Sequence, residues 1–94
     1  MKAVVTVVGR DRVGIIALVS TECQKYGVNI VDISQTVMRE YFTMIMLAEI
    51  DRLEKDGAQV AFSDFADAMS AMGREHGLDI RVMHEDIVNT MHRI

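Results

Sequence analysis

The sequence predicts an α+β sandwich in the order βαββαβ, with a four-stranded antiparallel sheet carrying two helices on one face. Three observations carry that prediction. The apolar residues switch from strand-like to helical spacing twice along the chain, after Val8 and again near Phe62. The two helix exits share one pattern, Tyr26-Gly27-Val28-Asn29-Ile30 and His76-Gly77-Leu78-Asp79-Ile80, each giving glycine, an apolar residue, an Asx and isoleucine before a strand. The whole chain has 94 residues and no proline, which suits one domain with short connections and no Pro-rich linker.

The first strand is read over Lys2 to Val8, a β-branched run that is apolar on both faces apart from Thr6 and suits a central, largely buried position. From Val13 the period becomes helical: Ile15, Ile16, Leu18, Val19, Cys23 and Tyr26 form one face, with Ser20, Thr21, Gln24 and Lys25 opposite. Gly27 serves as the left-handed residue that ends this helix. Asn29 to Arg39 alternates in part, with Val31, Ile33 and Val37 against Asp32, Ser34 and Thr36, as a half-exposed strand does. Arg39-Glu40 marks a tight reversal into a strand over Tyr41 to Asp51, whose middle, Met44 to Leu47, is apolar on both faces. A sheet covered on one side would expose Ile45 and Leu47, so a cover for the second face is expected.

Arg52 to Gln59 is charged, contains Asp56-Gly57 and reads as a solvated connection. Phe62, Phe65, Met69 and Met72 then recur at helical spacing in a second amphipathic helix that stops at Gly77, and Leu78 to Met83 is the fourth strand. Strand, helix, strand occurs twice over, which is the ferredoxin-like split unit. This unit occupies residues 1–83. Residues 84–94 are an extension, in which Glu85 and Asp86 at the start and Arg93 at the end follow the charge order of a helix dipole, with Ile87, Val88, Met91 and Ile94 as an apolar stripe. So short a helix is marginal alone and is expected to dock on the open face, on an edge or on a second subunit.

Composition narrows the function. A net charge of −4 argues against a nucleic-acid partner, which would call for a basic stripe. No run of about 18 residues lacks charge, so no membrane span is expected. With the first strand following directly on Met1 and Lys2 and a single cysteine unable to form an internal disulfide, a cytoplasmic location is expected. The eight methionines are read chiefly as core.

Catalysis finds little support. The only thiol, Cys23, falls on the buried side of the first helix. Paired carboxylates in an identifiable cleft, CxxC, HExxH, GxGxxG and a phosphate-binding GxxxxGK[ST] are all missing, so the DxxG-like Asp11-Arg12-Val13-Gly14 is an accident of spacing. His84 and His92 would stand about 12 Å apart along a helix and cannot share one metal within a chain. They leave a metal site between symmetry-related copies as a minor alternative. No cofactor and no enzyme activity are expected.

The stretch Val8-Gly9-Arg10-Asp11-Arg12-Val13-Gly14-Ile15 is where strand becomes helix. Two glycines bracket three charged residues, so the backbone turns tightly and leaves N–H groups unobstructed where the helix starts. With the positive end of the helix dipole, such donors favour a small anion such as a carboxylate. The plain alternative is a strand-to-helix turn with Asp11 as N-cap.

That stretch, followed by Tyr26-Gly27-Val28-Asn29-Ile30 and Asp32-Ile33-Ser34, resembles the ACT domain, a regulatory module that binds amino acids. The ending His84-Glu85-Asp86-Ile87 through Met91-His92-Arg93-Ile94 is similar to that of small stand-alone bacterial ACT proteins related to the glycine-cleavage repressor. The resemblance covers essentially the whole chain. It implies pairing of subunits side by side or back to back, with effectors at the interface, and it places Gly9, Asp11, Gly14, Ile15, Asn29 and Ile30 on the family's ligand positions. Many members have proline where this chain has Val13, which would fix the first helical turn. On this reading, backbone N–H groups from Arg12 to Ile15 receive an effector carboxylate, Arg10 or Arg12 adds charge, and Asp11 or Asn29 takes an ammonium group close by. The protein is expected to be a homodimeric sensor of an amino acid, the alternative being an interaction module that keeps the fold without the ligand.

Overall fold

The computed structural model describes residues 1–91. Its elements are β1 (Lys2–Arg10), α1 (Ile15–Lys25), β2 (Asn29–Met38), β3 (Tyr41–Glu49), β4 (Glu54–Lys55), β5 (Ala58–Gln59), α2 (Phe62–Glu75), β6 (Leu78–His84) and α3 (Glu85–Met91). Four strands form an antiparallel sheet in the order β2-β3-β1-β6. This is the predicted βαββαβ sandwich with a short C-terminal helix.

Strand alternation and helical spacing meet in one core. Ala3, Val5 and Val7 of β1, Phe42, Met44, Met46 and Ala48 of β3, and Leu78 and Ile80 of β6 point to the helices and are buried. They face Ile15, Val19 and Cys23 of α1 and Phe65, Met69 and Met72 of α2. Tyr26 tilts against Phe65 at 5.1 Å between ring centroids, joining the end of α1 to the middle of this cluster. Met44, Met46, Met69 and Met72 are core residues, as expected; Met38 is exposed.

Several expectations need correction. α1 begins at Ile15, two residues later than the periodicity indicated, because Gly14 takes a left-handed conformation (φ 93°) that a helix cannot run through, and Val13 is left fully exposed. The connection after β3 contains the hairpin β4–β5, with Asp56 and Gly57 both at positive φ at its tip. Asp-Gly is the residue pair that a two-residue hairpin turn favours. Arg39 also turns at positive φ (55°), so the β2–β3 reversal forms without that pair. β2 is exposed along nearly its whole length rather than half covered, because α2 packs over β6 at the opposite edge and α1 meets β2 only slightly. A bulge between Ile30 and Asp32 takes Val31 out of the alternation.

The second face of the sheet keeps Val8 and Ile45 open, 47% and 57% exposed. α3 packs against β1 and β6 and does not cover β2 or β3 at that level. Of its expected stripe, Val88 is half-buried and Ile87 exposed, while the Met91 side chain and residues 92–94, including His92, Arg93 and Ile94, lie outside the described residues.

Candidate functional site

The β1–α1 turn is built from two glycines with different duties. Gly9 lies where β1 approaches β6: a Cβ there would stand 2.5 Å from Leu78 Cδ2 and 3.2 Å from the Gly77 carbonyl. Gly14 has open space around it and is required for its φ instead. It occupies the N-cap of α1 with no side-chain cap, so Asp11 is not the cap. The first backbone bond of α1 runs from Leu18 N–H to the Gly14 carbonyl at 2.9 Å. N–H groups earlier in that turn have no helical carbonyl to meet. The first turn of α1 also lacks an acidic residue, so the chain does not neutralise the positive end of the dipole there.

Arg10, Asp11, Arg12, Val13 and Gly14 are all exposed. The Asp11 backbone N–H donates to the Glu40 carbonyl at 2.7 Å, which ties the turn to the β2–β3 reversal. Arg12 reaches the other way, its Nη2 donating to the His76 carbonyl at 3.2 Å. Strand alternation places Arg10 with Val8 on the open face of the sheet, away from α1. The two arginines therefore do not stand equally at the turn.

Asn29 and Ile30 are elsewhere. In the ladder, Asn29 is level with Glu49 and Lys2, whereas Arg10 is level with Tyr41 and Met38. These are opposite ends of the sheet, separated by the nine-residue length of β1, or about 26 Å at ~3.3 Å per residue. Within one chain the turn residues Gly9 to Ile15 come together and Asn29 and Ile30 do not join them. Of the two expected acceptors for an ammonium group, Asp11 lies in the turn beside the N–H donors and Asn29 does not.

Two hollows lie near these elements. One of about 720 Å³ runs along the outside of β6, lined by Ser70, Arg74, Gly77, Leu78, Asp79 and Arg81 among others. A smaller one of about 270 Å³ lies on the open face among Thr6, Val8, Ser34, Thr36, Thr43 and Ile45. Neither includes Gly14, Ile15 or Asn29.

Burial, with a smaller contribution from the Glu22 carboxylate, pushes the Cys23 thiol up to about 11, so it stays protonated at neutral pH and is no nucleophile. His84 is placed by packing: its ring meets Phe62 edge-on at 5.9 Å, and its Nδ1 accepts the Asp86 N–H at 3.1 Å. Among the described residues no group of three or more His, Cys, Asp or Glu is placed to hold a metal ion. No described helix is long and apolar enough to cross a membrane. The Arg12–His76 and Asp11–Glu40 bonds had no local signal in the sequence, since their partners are distant along the chain.

These elements define a small ferredoxin-like α+β domain whose first helix opens on a glycine turn. The chain belongs to the ACT domain family, whose profile matches residues 2–83. That family typically regulates by binding small ligands. A UPF0237 protein of Methanosarcina acetivorans is 50% identical over 91 residues, covering 97% of this chain and 94% of the relative. An ACT domain protein from Streptococcus pneumoniae superposes with a TM-score of 0.78 at 37% identity, over 100% of this chain and 97% of that one. A structure described as a glycine cleavage system transcriptional repressor is 25% identical with a TM-score of 0.65, covering 86% of this chain and 43% of its own.

Proposed function

We propose that this protein is a non-catalytic regulatory module that senses an amino acid at the interface of a homodimer, acting in the cytoplasm. The observation that carries the reading is the placement of the turn and Asn29 at opposite ends of one sheet. Two copies related by a two-fold axis, paired antiparallel through β2, would set the turn of one beside the Asn29 end of the other.

The sheet edges favour that pairing. On the β6 side, the Ser70 hydroxyl donates to the Ile80 carbonyl at 2.9 Å, and α2 lies so close that a Cβ on Gly73 would be 2.8 Å from the Leu78 carbonyl. β2 has no such cover. It lacks lysine and proline, the usual guards of a free edge, and leaves Val31, Ile33 and Val37 exposed. The regulatory unit is residues 1–83, and residues 84–94 are its extension.

In this arrangement N–H groups of Val13, Gly14 and Ile15 receive the ligand carboxylate, while Asp11 or the partner's Asn29 takes the ammonium group. Gly9 and Ile30 shape the backbone on either side. Ligand held between two copies changes their association by its differential affinity for the paired state, which is how a module without catalysis regulates. Calorimetry against the twenty common amino acids tests the reading. A binding isotherm that Gly14→Ala weakens supports it; flat traces at millimolar concentration overturn it.

A second reading, an interaction module without a ligand, is favoured by the open apolar surface at Val8 and Ile45 and by Val13 at the position where proline would preorganise the turn. Flat calorimetry together with a stable dimer would select it.

A further inference from the structure

We propose that Arg12 is a latch, closed on the His76 carbonyl in the free protein and released by a carboxylate arriving at the β1–α1 turn, so that occupancy of the turn is passed to the end of α2. This rests on the reading of the turn as a carboxylate site.

The latch joins two helix ends of opposite polarity. Arg12 belongs to the turn that opens α1, and its Nη2 donates to the carbonyl of His76, the residue that ends α2, at 3.2 Å. The last carbonyls of a helix form the negative end of its dipole and lack helical donors, so a guanidinium is well placed there. The helix's own closure at that point is weak: Gly77, at φ 70°, reaches the Arg74 carbonyl only at 3.4 Å. The corresponding exit of α1 is tighter, with Gly27 N–H to the Gln24 carbonyl and Val28 N–H to the Cys23 carbonyl both at 3.1 Å. His76 N–H still closes on the Gly73 carbonyl at 3.0 Å, so Arg12 adds a donor to the His76 carbonyl, beyond the last backbone bonds of α2.

A ligand carboxylate offers Arg12 a stronger partner than a neutral carbonyl, because it brings an opposite charge and can accept two parallel N–H bonds from the guanidinium fork. Arg10 cannot take its place, since it stands on the other face of the sheet. Release of the His76 carbonyl loosens Gly77 and Leu78, which with Arg74 wall the hollow beside β6. Binding at one end of α1 is then felt on the surface of α2 and β6.

The six glycines give separate reporters in an amide proton–nitrogen spectrum, and the Gly77 amide shares a peptide group with the His76 carbonyl. In the ligand-free full chain, Arg12→Ala is expected to shift the Gly77 peak and speed its hydrogen exchange, with Arg12→Lys restoring it in part. An unmoved Gly77 peak in Arg12→Ala overturns the latch. The wild-type chain is then titrated with each of the twenty common amino acids, with Gly14 and Ile15 reporting binding at the turn. A ligand that moves Gly14 and carries Gly77 to its Arg12→Ala position supports the latch. One that moves Gly14 and leaves Gly77 in place overturns the latch and leaves the sensor standing. If none moves Gly14, the sensor reading fails and the ligand-released latch fails with it.

Discussion

The Ser70 hydroxyl donates to the Ile80 carbonyl at 2.9 Å, and this bond from α2 covers part of one of the two edges of the main sheet. A serine within a helix usually competes with its own backbone; here it satisfies an outward-facing carbonyl of an edge strand. Ser70→Ala should cost about 1 kcal/mol, the net worth of a typical hydrogen bond. In a domain of this size that lowers Tm by roughly 4–8 °C, measurable by thermal melting.

Gly14 and Gly73 separate conformation from space. Gly14→Ala meets no neighbour but holds a left-handed φ, so it should destabilise by about 1–2 kcal/mol and leave the fold intact. Gly73→Ala drives a Cβ to 2.8 Å from the Leu78 carbonyl and from Ile80, so α2 must lift from β6 at a cost of about 1–3 kcal/mol. Urea denaturation should rank Gly73→Ala as at least as damaging. Only Gly14→Ala should also weaken ligand binding in calorimetry without disturbing the amides of β6.

Cys23 makes a pH prediction with a definite sign. Its thiol is raised from 9.0 to about 11 in the folded chain, first by burial and then by Glu22, so the folded state holds the proton longer than the unfolded state does. The stability it contributes is complete below about pH 9 and is lost as pH rises toward about 11. Denaturant midpoints measured across that window should fall less steeply in Cys23→Ala than in the native sequence. At neutral pH the native thiol should react slowly with iodoacetamide and at the full rate once the chain is unfolded.

Pairing through β2 can be broken without touching the core. Ile33 is 37% exposed in the single chain, so Ile33→Lys should cost about 1 kcal/mol of folding stability and leave the fold intact. A lysine on a sheet edge opposes strand addition. Sedimentation should show the native chain as a dimer and Ile33→Lys as a monomer with an unchanged circular dichroism spectrum. A monomeric native chain would remove the interface on which the proposed site depends.

By itself the sequence determined what short-range patterns can carry: the succession of strands and the two main helices along the chain, the buried face of each helix, and Gly27 and Gly77 at the helix exits. It misread Asp56-Gly57 as plain loop because so short a hairpin has no periodicity to recognise. It placed the start of α1 early because apolar spacing continues through Val13, whereas the backbone conformation of Gly14 sets the boundary. Tertiary structure alone decided what lies beside what. Pairing register put Asn29 at the far end of the sheet from Gly14, alternation turned Arg10 away from α1, and the packing of α2 on β6 brought Arg12 to His76. The reason is physical: periodicity reports which side of its own element a residue occupies, while distances between elements follow from strand order and direction, which a local pattern does not encode.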